Sequence, residues 1–542
     1  MFRSIKKMLS LLLVALMLVG VFSGCGGKKQ EANIDPAVGN KTIVVSLAKG
    51  GYGEEWIYAL AEAFEETYKE EGYKVELDIR IGDSGDIMTQ ELKLGPERND
   101  IDLYFAGNVT VRNVMEFSKK VMLDDTTPIL APLDDVYYSP AIGADKKEES
   151  KTIAERVSPG FEESFIYESD NEWNGKVFTL GAFTAATGIA ANPAVFARYG
   201  IALPNTSDEL IAAVQTISKE GAADGVYPFV WAGNNAPGYW DYLYKTYFAQ
   251  YSSVENFYKF LKVKPTSGNV AEDGWTVFED RGILEALKAM EPMMDLSYAP
   301  NGSINFTHTE AQHYLMVGEA GFMITGDWLL GEMQADYEEV KDCVMLKTPV
   351  LSVIGAECGI TDAQLSKAVS MVDAGNTDEQ IMAAISGLNA EGAARIRNAR
   401  NIYYSIASSM DVMIPNYADG KHVAKLFLKF LYSEDGCRIM RNKANALVPV
   451  TCESYDVENP TKFFDSVVAL MNDGKSTPIF SSSKITQIRN DCGLRDFNNS
   501  AYFWVFKSMM LDDSLTAEYI YETEKAYVKS NWQNYMASAG LA

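Results

Sequence analysis

The chain has 542 residues, 47% of them hydrophobic, and a formal net charge of −26. A chain of this length and composition is expected to fold as a globular body with more than one domain or lobe. The acidic balance argues against a nucleic-acid partner, because phosphates would be repelled, and against lying flat on an anionic membrane.

The first 25 residues have the pattern of a secretory signal. Arg3, Lys6 and Lys7 precede an almost wholly apolar run at residues 8–22, which is too short for a stable membrane span. Small residues and Cys25 follow, and this exit resembles the lipobox of bacterial lipoproteins, in which the cysteine is lipidated. We expect residues 1–24 to be a signal peptide and Cys25 the lipidation site. A plain signal peptide without lipid and an uncleaved anchor are the alternatives.

Residues 25–40 predict a flexible tether. They are polar and contain Gly and Pro, a composition that does not bury enough apolar surface to order itself. Together with the lipid, this tether would hold a folded body at the cell membrane on the extracytoplasmic side. No later run approaches the length of a membrane span, so no further span is expected.

The cysteines and histidines do not form a recognisable metal motif. If Cys25 is lipidated, an odd number of cysteines is left, so at least one is free. The remaining cysteines are Cys343, Cys358, Cys437, Cys452 and Cys492. Cys343 with Cys358, or Cys437 with Cys452, are candidate pairs, and buried free thiols are the other interpretation. There is no C-x-x-C or H-E-x-x-H motif, so neither a metal nor another cofactor is expected.

The first third of the chain predicts a parallel sheet. Residues 42–48 are mostly apolar, as in a buried strand, and Trp56, Leu60 and Phe64 then recur every four residues as one helix face. Residues 73–81 alternate as a second strand. Strand, helix and strand in this order predict a βαβ unit. A further strand at residues 101–105 leads to Asn108.

The middle of the chain keeps this α/β pattern. Thr206 and Glu209 predict a capping box at the start of one helix. A helix over residues 309–318 precedes an apolar strand at 321–325, which ends in Gly326, Asp327 and Trp328. Residues 356–400 carry two more capping boxes, which open short helices, and we interpret this segment as a helical insertion. The final 80 residues look mostly helical.

Catalytic motifs are missing from the sequence, whereas aromatic residues cluster in one loop. There is no G-x-S-x-G, no Walker loop and no G-x-G-x-x-G after a strand. Trp231, Tyr239 and Trp240 lie in a segment rich in Gly, Asn and Pro. Loops with large aromatics and amides suit a sugar, which offers C–H faces to rings and hydroxyls to polar side chains. Asp327 with Trp328 offers the same combination, and core packing of the tryptophans is the alternative.

Three segments resemble one protein family. They are residues 181–192 followed by Phe196, Gly200, Ile201, Pro204 and residues 206–210; residues 310–328 with Gly326-Asp327-Trp328; and residues 424–438 with Phe430-Leu431 and Ser433-Glu434-Asp435-Gly436. In order and spacing they resemble the extracellular solute-binding proteins of the sugar ABC-transporter family. The similarity spans nearly the whole mature chain, and the helical insertion is a departure from the family pattern.

The resemblance implies an α/β, two-lobed, periplasmic-binding-protein-like (type II) fold with discontinuous lobes. By analogy, residues 41–180 and 350–450 form lobe 1, including the insertion at 356–400. Residues 181–349 and 451–542 form lobe 2. The ligand lies between the lobes, at strand ends in the crevice.

The implied function is a non-enzymatic receptor that captures a mono- or oligosaccharide and delivers it to the permease of an ABC transporter. We expect a lipid-anchored monomer that closes around its ligand. Candidate ligand-binding residues are Tyr52, Trp56, Asn108, Trp231, Asn235, Trp240, Asp327 and Trp328. Two alternatives stay open: a binder of peptides or other small solutes on the same scaffold, and a secreted glycoside hydrolase with paired carboxyls.

Overall fold

The computed structural model describes residues 34–35, 39–81, 85–107, 109, 111–124, 126–162, 164–169, 171–406, 410–471, 475–481, 485–502 and 504–541. The predicted signal peptide, the lipidation site at Cys25, most of the tether and Asn108 lie outside these residues. Within the described ranges, no helix is both long enough and apolar enough to cross a membrane.

Short strands are distributed along the whole chain. They are β1 (Ile34–Asp35), β2 (Gly39–Asn40), β3 (Thr42–Lys49), β4 (Lys74–Ile81), β5 (Leu103–Ala106), β6 (Pro140–Ile142), β7 (Glu148–Thr152), β8 (Leu180–Gly181), β9 (Ala185–Ala191), β10 (Tyr227–Phe229), β11 (Ala320–Gly326), β12 (Val344–Met345), β13 (Ile402–Ile406), β14 (Asp411–Met413) and β15 (Thr477–Ile479).

Helices connect these strands and form most of the last third of the chain. They are α1 (Glu55–Thr67), α2 (Gly85–Leu92), α3 (Val111–Met115), α4 (Ser118–Met122), α5 (Asp134–Tyr137), α6 (Ile153–Arg156), α7 (Pro193–Arg198), α8 (Ser207–Gly221), α9 (Trp240–Ser252), α10 (Val254–Leu261), α11 (Val270–Asp273), α12 (Arg281–Met290), α13 (His308–Met316), α14 (Leu329–Met333), α15 (Ser352–Glu357), α16 (Asp362–Asp373), α17 (Asp378–Ala384), α18 (Ala390–Asn401), α19 (Lys421–Leu431), α20 (Glu434–Ala444), α21 (Lys462–Met471), α22 (Gln487–Cys492), α23 (Val505–Leu511) and α24 (Ala517–Ser538).

Helix starts follow the capping signals of the sequence. Thr361 and Thr377 each form the predicted capping box with the glutamine three residues later. At Thr206 only half of the predicted box forms: its hydroxyl accepts from Glu209 N, whereas the Glu209 carboxylate accepts from Asn205 N.

Lobe 1 is built on a five-stranded sheet with the order β4-β3-β5-β14-β8. Strand β3 runs parallel to β4 and β5, and β14 runs antiparallel to β5 and β8. The predicted βαβ unit is present as β3, α1 and β4. Trp56, Leu60 and Phe64 of α1 are fully buried in the same core as Val45 and Leu47 of β3. The apolar face of α1, whose residues recur every four positions, thus packs against the apolar residues of β3.

Lobe 2 is built on a six-stranded sheet with the order β10-β11-β9-β13-β15, and β12 also pairs with β9. Strand β9 is the centre of this sheet, because it pairs antiparallel with β11, β12 and β13. Both β9 and β11 are buried along their whole length, as expected for strands covered on both faces by helices.

The segment at residues 350–406, which the sequence prediction assigns to lobe 1, lies in lobe 2. Strand β13 pairs with β9 and β15, and helices α15–α18 bury Ile354, Leu365 and Ile381 in the same core. The second crossing between the lobes therefore lies between β13 and β14, and not at the predicted boundary between residues 349 and 350. Capping boxes mark where these helices begin, but they carry no information about which sheet the helices cover, and this caused the difference.

Candidate functional site

The end of β11 meets lobe 1 at Asp327. This carboxyl is 2% exposed; its Oδ1 accepts from the Tyr52 hydroxyl at 2.8 Å and its Oδ2 from Ala186 N at 3.1 Å. Burial raises the pKa of Asp327 to about 7, and the hydrogen bonds from Tyr52 and Ala186 oppose this rise. Tyr52 follows β3 of lobe 1, so this hydrogen bond crosses between the lobes.

Glycines let the two lobes approach backbone to backbone beside this bond. A Cβ atom on Gly51 would lie 2.9 Å from the Trp328 Cβ and 2.8 Å from Glu332 Oε1. A Cβ atom on Gly331 would lie 2.3 Å from the Gly51 carbonyl oxygen. All three distances are shorter than real Cβ contacts, so glycine at both positions is what permits this approach.

Aromatic rings form a row across the face of lobe 2, starting from Trp328. The centroid of Trp328 lies 5.8 Å from that of Tyr239, and Tyr239 lies 5.5 Å from Tyr242 in a stacked arrangement. Tyr242 stacks in turn on Tyr404 at 5.5 Å. Trp328, Tyr239 and Tyr242 are half-buried, so each keeps part of its surface accessible. Such spacings are typical of favourable aromatic pairs.

A cavity of about 280 Å³ lies at the far end of this aromatic row and combines charged groups with an exposed indole. Its lining includes Asp241, Lys245, Ser481, Asp496 and Trp504. Trp504, the tryptophan of this lining, is 42% exposed. The lining is contributed by helices α9 and α10 and by residues after β15, so distant parts of the chain build it.

The charges in this cavity differ in how they are compensated. The Asp496 carboxylate lies 3.3 Å from Lys245 Nζ and 3.0 Å from Arg489 Nη2. Burial acts to raise the pKa of Asp496, but these two cations outweigh it and hold the pKa below its usual value. Burial raises the pKa of Asp241 to about 7 in spite of the nearby Lys245. The cavity therefore holds one carboxyl whose pKa is lowered by its cations and one whose pKa is raised to about 7 by burial.

Trp231 and Trp240, which the sequence predicts as stacking platforms for a ligand, are stacked on each other. Their centroids are 4.7 Å apart at an interplanar angle of 20°, and they are 0% and 2% exposed. Both belong to the core of lobe 2, where Trp240 also meets Phe229 edge to face. In this structure their rings are covered by protein, and they act as core residues.

Trp56 and Asn235 also have local structural partners. Trp56 is fully buried, lies edge to face against Phe105 and Phe183, and donates from Nε1 to the Gly53 carbonyl at 3.2 Å. Asn235 Oδ1 accepts from His308 N at 2.9 Å, and its amide donates to His308 Nδ1 at 2.8 Å. Asn235 is exposed and fixes the start of α13.

The structure thus brings together Tyr52, Asp327 and Trp328 of the predicted set. Sequence reasoning did not single out Tyr242, Tyr404, Asp241, Lys245 or Trp504. A usable signal was present for two of them: Asp241 and Lys245 are four residues apart in an aromatic-rich helix and so share one face. No local pattern connects Trp504 with this helix. Among the described residues, no group of three or more His, Cys, Asp or Glu side chains is placed to hold a metal ion.

Comparisons with known proteins agree with this architecture. Residues 50–436 match the family model described as bacterial extracellular solute-binding protein. No curated protein sequence matches the chain significantly. Many solved structures match in fold, and the structural neighbours are two-lobed solute-binding proteins.

Three of these structures illustrate the match, and all have low sequence identity. A chitin oligosaccharide binding protein is 12% identical, with a TM-score of 0.54 over 92% of this chain and 100% of that one. Maltose-bound MalE3 of T. maritima is 16% identical, with a TM-score of 0.53 over 90% and 99%. RafE in complex with raffinose is 13% identical, with a TM-score of 0.53 over 91% and 99%. Because the family model covers most of the chain, the protein belongs to the family of bacterial extracellular solute-binding proteins.

Proposed function

We propose that this protein is an extracytoplasmic receptor that captures a carbohydrate between its two lobes and delivers it to the permease of an ABC transporter. The observation that carries the proposal is the aromatic row from Trp328 to Tyr404, which leads into the charged cavity at Asp241 and Lys245. A sugar site needs aromatic rings that pack against the C–H faces of the sugar and charged groups that form hydrogen bonds with its hydroxyls. Structural neighbours that bind chitin oligosaccharide, maltose and raffinose agree with this class of ligand.

In this proposal, lobe 2 supplies the stacking surface and lobe 1 closes over it. Trp504, Tyr239 and Trp328 contact the faces of the sugar rings, while Asp241 and Lys245 bind hydroxyls. Asn108, which directly follows the short loop after β5, stays a proposed contact from lobe 1. Closure is completed by the bond from Tyr52 to Asp327.

The proposal includes no chemical step on the ligand. Family and fold match transport receptors rather than enzymes. A retaining glycosidase needs a free carboxylate as nucleophile beside a protonated one. Asp496 is instead clamped between Lys245 and Arg489, which favours a binding role for this pair of cations.

The remaining parts of the proposal concern the membrane. We propose that Cys25 carries the lipid, that residues 25–40 act as the tether, and that the receptor works as a monomer. Mass spectrometry of the N-terminal peptide from the membrane fraction tests the lipid, and an N-terminus without acyl groups would refute it.

A thermal-shift screen over saccharides, peptides and polyols tests the class of ligand. A ligand at a hundred times its dissociation constant stabilises the folded protein by about 2.7 kcal/mol, which is a measurable shift. We expect shifts from saccharides only. A shift from peptides alone would overturn the carbohydrate assignment, and release of shorter sugars from an oligosaccharide would establish a hydrolase instead.

A further inference from the structure

A pair of thiols lies near the third crossing between the lobes, where the chain passes from α20 in the core of lobe 1 to α21, which packs with β12 of lobe 2. The side chains of Cys437 on α20 and Cys452 interact directly, while the Cys437 thiol donates to the Leu431 carbonyl at 3.9 Å and the Cys452 thiol to the Val450 carbonyl at 3.6 Å. Cys437 is fully buried, whereas Cys452 is half-buried. Both cysteines are reduced in this structure. The two thiols are therefore direct neighbours in the fold.

The segment that carries Cys452 is part of the hinge. Leu447 accepts a hydrogen bond from Thr184 N at 2.9 Å, and Thr184 lies in the first crossing between the lobes. Val450 pairs with Val157, and Thr451 N donates to the Arg156 carbonyl. A covalent bond at Cys452 would therefore constrain the third crossing, which is itself hydrogen-bonded to the first crossing at Thr184.

A cavity of about 340 Å³ gives access to the same segment. Its lining includes Thr184, Tyr403, Thr451, Cys452 and Tyr455, but not Cys437. A small thiol reagent thus has a route to Cys452, while Cys437 stays behind it in the core of lobe 1.

Two buried cations surround the pair. The Arg156 guanidinium donates to the Tyr432 carbonyl and to the carbonyl of Thr451, the neighbour of Cys452, and it is also paired with the Glu149 and Glu434 carboxylates. Arg441 is 3% exposed, and its Nε and Nη1 have no hydrogen-bond partner among the residues that the structure describes. An uncompensated buried guanidinium is costly unless an anion faces it. A thiolate on Cys452 would be such an anion, because Arg441 acts directly on the charge of that thiol.

The acidity of the thiols agrees with this arrangement. The interaction with the Cys437 thiol lowers the pKa of Cys452, and Arg441 and Arg156 lower it further against the opposing effects of burial and of the Glu434 carboxylate. Burial raises the pKa of Cys437 well above its usual value. A thiol with lowered pKa next to a resolving thiol is the arrangement found in redox-active pairs.

We propose that Cys437 and Cys452 form a disulfide-exchange site at the third crossing, in which Cys452 attacks and Cys437 resolves. The Cys452 thiolate attacks one sulfur of an external disulfide, forms a mixed disulfide and expels one thiolate. Cys437 then loses its proton and attacks the Cys452 sulfur, which closes the internal disulfide and expels the second thiolate. Two electrons pass to the external disulfide, and the two protons of the protein thiols end on its two products.

The disulfide would link the third crossing covalently to α20. We expect this disulfide to be easily reduced. Cations that stabilise the thiolate stabilise the reduced form, and such disulfides have high reduction potentials. The disulfide would therefore form and be reduced reversibly, and it would not act as a permanent structural cross-link. An extracellular location supplies the oxidising environment that the exchange requires.

Thiol trapping on the full-length exported protein in detergent tests the proposal. The reduced protein is incubated with oxidised glutathione at pH 7, quenched in acid, alkylated and digested for mass spectrometry. We expect a linked peptide that contains Cys437 and Cys452. Cys343 and Cys358 have the same spacing in sequence but lie in different clusters of lobe 2, so they serve as the matched control and are expected to stay alkylatable. Formation of the control link, or none between Cys437 and Cys452, would overturn the proposal.

Single variants test the two roles. Cys437→Ser should accumulate a stable glutathione adduct on Cys452, whereas Cys452→Ser should leave Cys437 unmodified. Equal modification of Cys437 in the second variant contradicts the assigned order. Arg441→Met should slow adduct formation on Cys452 by about tenfold at pH 7 for each unit by which the pKa rises, and Arg441→Lys should retain most of the rate. An unchanged rate in Arg441→Met, with the far-ultraviolet circular dichroism of the parent, would refute the role of the cation.

Discussion

The Tyr52 hydroxyl donates to the Asp327 carboxylate at 2.8 Å, and this bond joins the end of β3 in lobe 1 to the end of β11 in lobe 2. Asn445 Nδ2 donates to Gln334 Oε1 at 3.1 Å as a second cross-lobe bond. The lobes are therefore joined in this structure by side-chain hydrogen bonds that a separation of the lobes would break.

Removing the Tyr52 hydroxyl should favour the open form. Tyr52→Phe keeps the ring against Phe183 but deletes a hydrogen bond to a buried carboxyl, a contact worth roughly 1.5–3 kcal/mol. We expect a larger radius of gyration by X-ray scattering without ligand, and an affinity for the saccharide lowered about tenfold or more. Tyr58→Phe is the control, because Tyr58 lies 52% exposed on α1. Identical scattering and affinity in both variants would rule out a role of this bond in closure.

Asp327 should make the stability of the protein depend on pH. Its pKa is about 7 when folded, above the usual value near 3.8, so the folded state holds this proton more tightly than the unfolded state does. The contribution of the group is fully present below about pH 4 and is lost as the pH rises towards 7. A shift of this size corresponds to about 4 kcal/mol between the two limits.

The variant Asp327→Asn isolates this effect. Its amide mimics the protonated carboxyl, because the carbonyl oxygen can accept from Ala186 N–H while the amide donates to the Tyr52 hydroxyl oxygen. Because Asn does not titrate, the stability of the variant relative to the parent should rise between pH 4.5 and pH 7.5 when unfolding is measured by urea. A relative stability that stays constant or falls over this range contradicts the assigned pKa.

The sequence and the structure agree where the pattern is periodic and disagree where distant segments meet. The burial of Trp56 and Leu60 follows from their spacing, and the helices after Thr361 and Thr377 follow from their capping boxes. The placement of those helices on lobe 2 depends on long-range packing, which no local pattern encodes. The same applies to Trp231: a loop rich in Gly and Asn suggests exposure, but the ring turns inward and stacks on Trp240.

Closure should also be sensitive to a single methyl group on Gly51. In Gly51→Ala the new Cβ would lie within 3 Å of Trp328 and Glu332, both in lobe 2, so the lobes must separate to admit it. We expect the variant to fold normally and to bind the saccharide at least tenfold more weakly by calorimetry. Gly50→Ala is the matched control, because no atom lies within 4 Å of its Cβ position. Equal affinities for the two variants would show that the lobes do not come this close in the bound state.

Trp504 and Trp240 should separate ligand binding from folding. Trp504 lines the charged cavity and is 42% exposed, so Trp504→Ala should weaken saccharide binding at least tenfold and leave the free energy of unfolding within about 1 kcal/mol of the parent. Trp240 is 2% exposed and stacks on Trp231, so Trp240→Ala should destabilise the fold by about 3–5 kcal/mol through the cavity it leaves. Calorimetry gives the saccharide affinity of each variant, and chemical denaturation gives its free energy of unfolding. If Trp504→Ala binds as the parent does while Trp240→Ala folds normally but loses the ligand, the site lies on the loop at residues 231–240 and not in the cavity of α9.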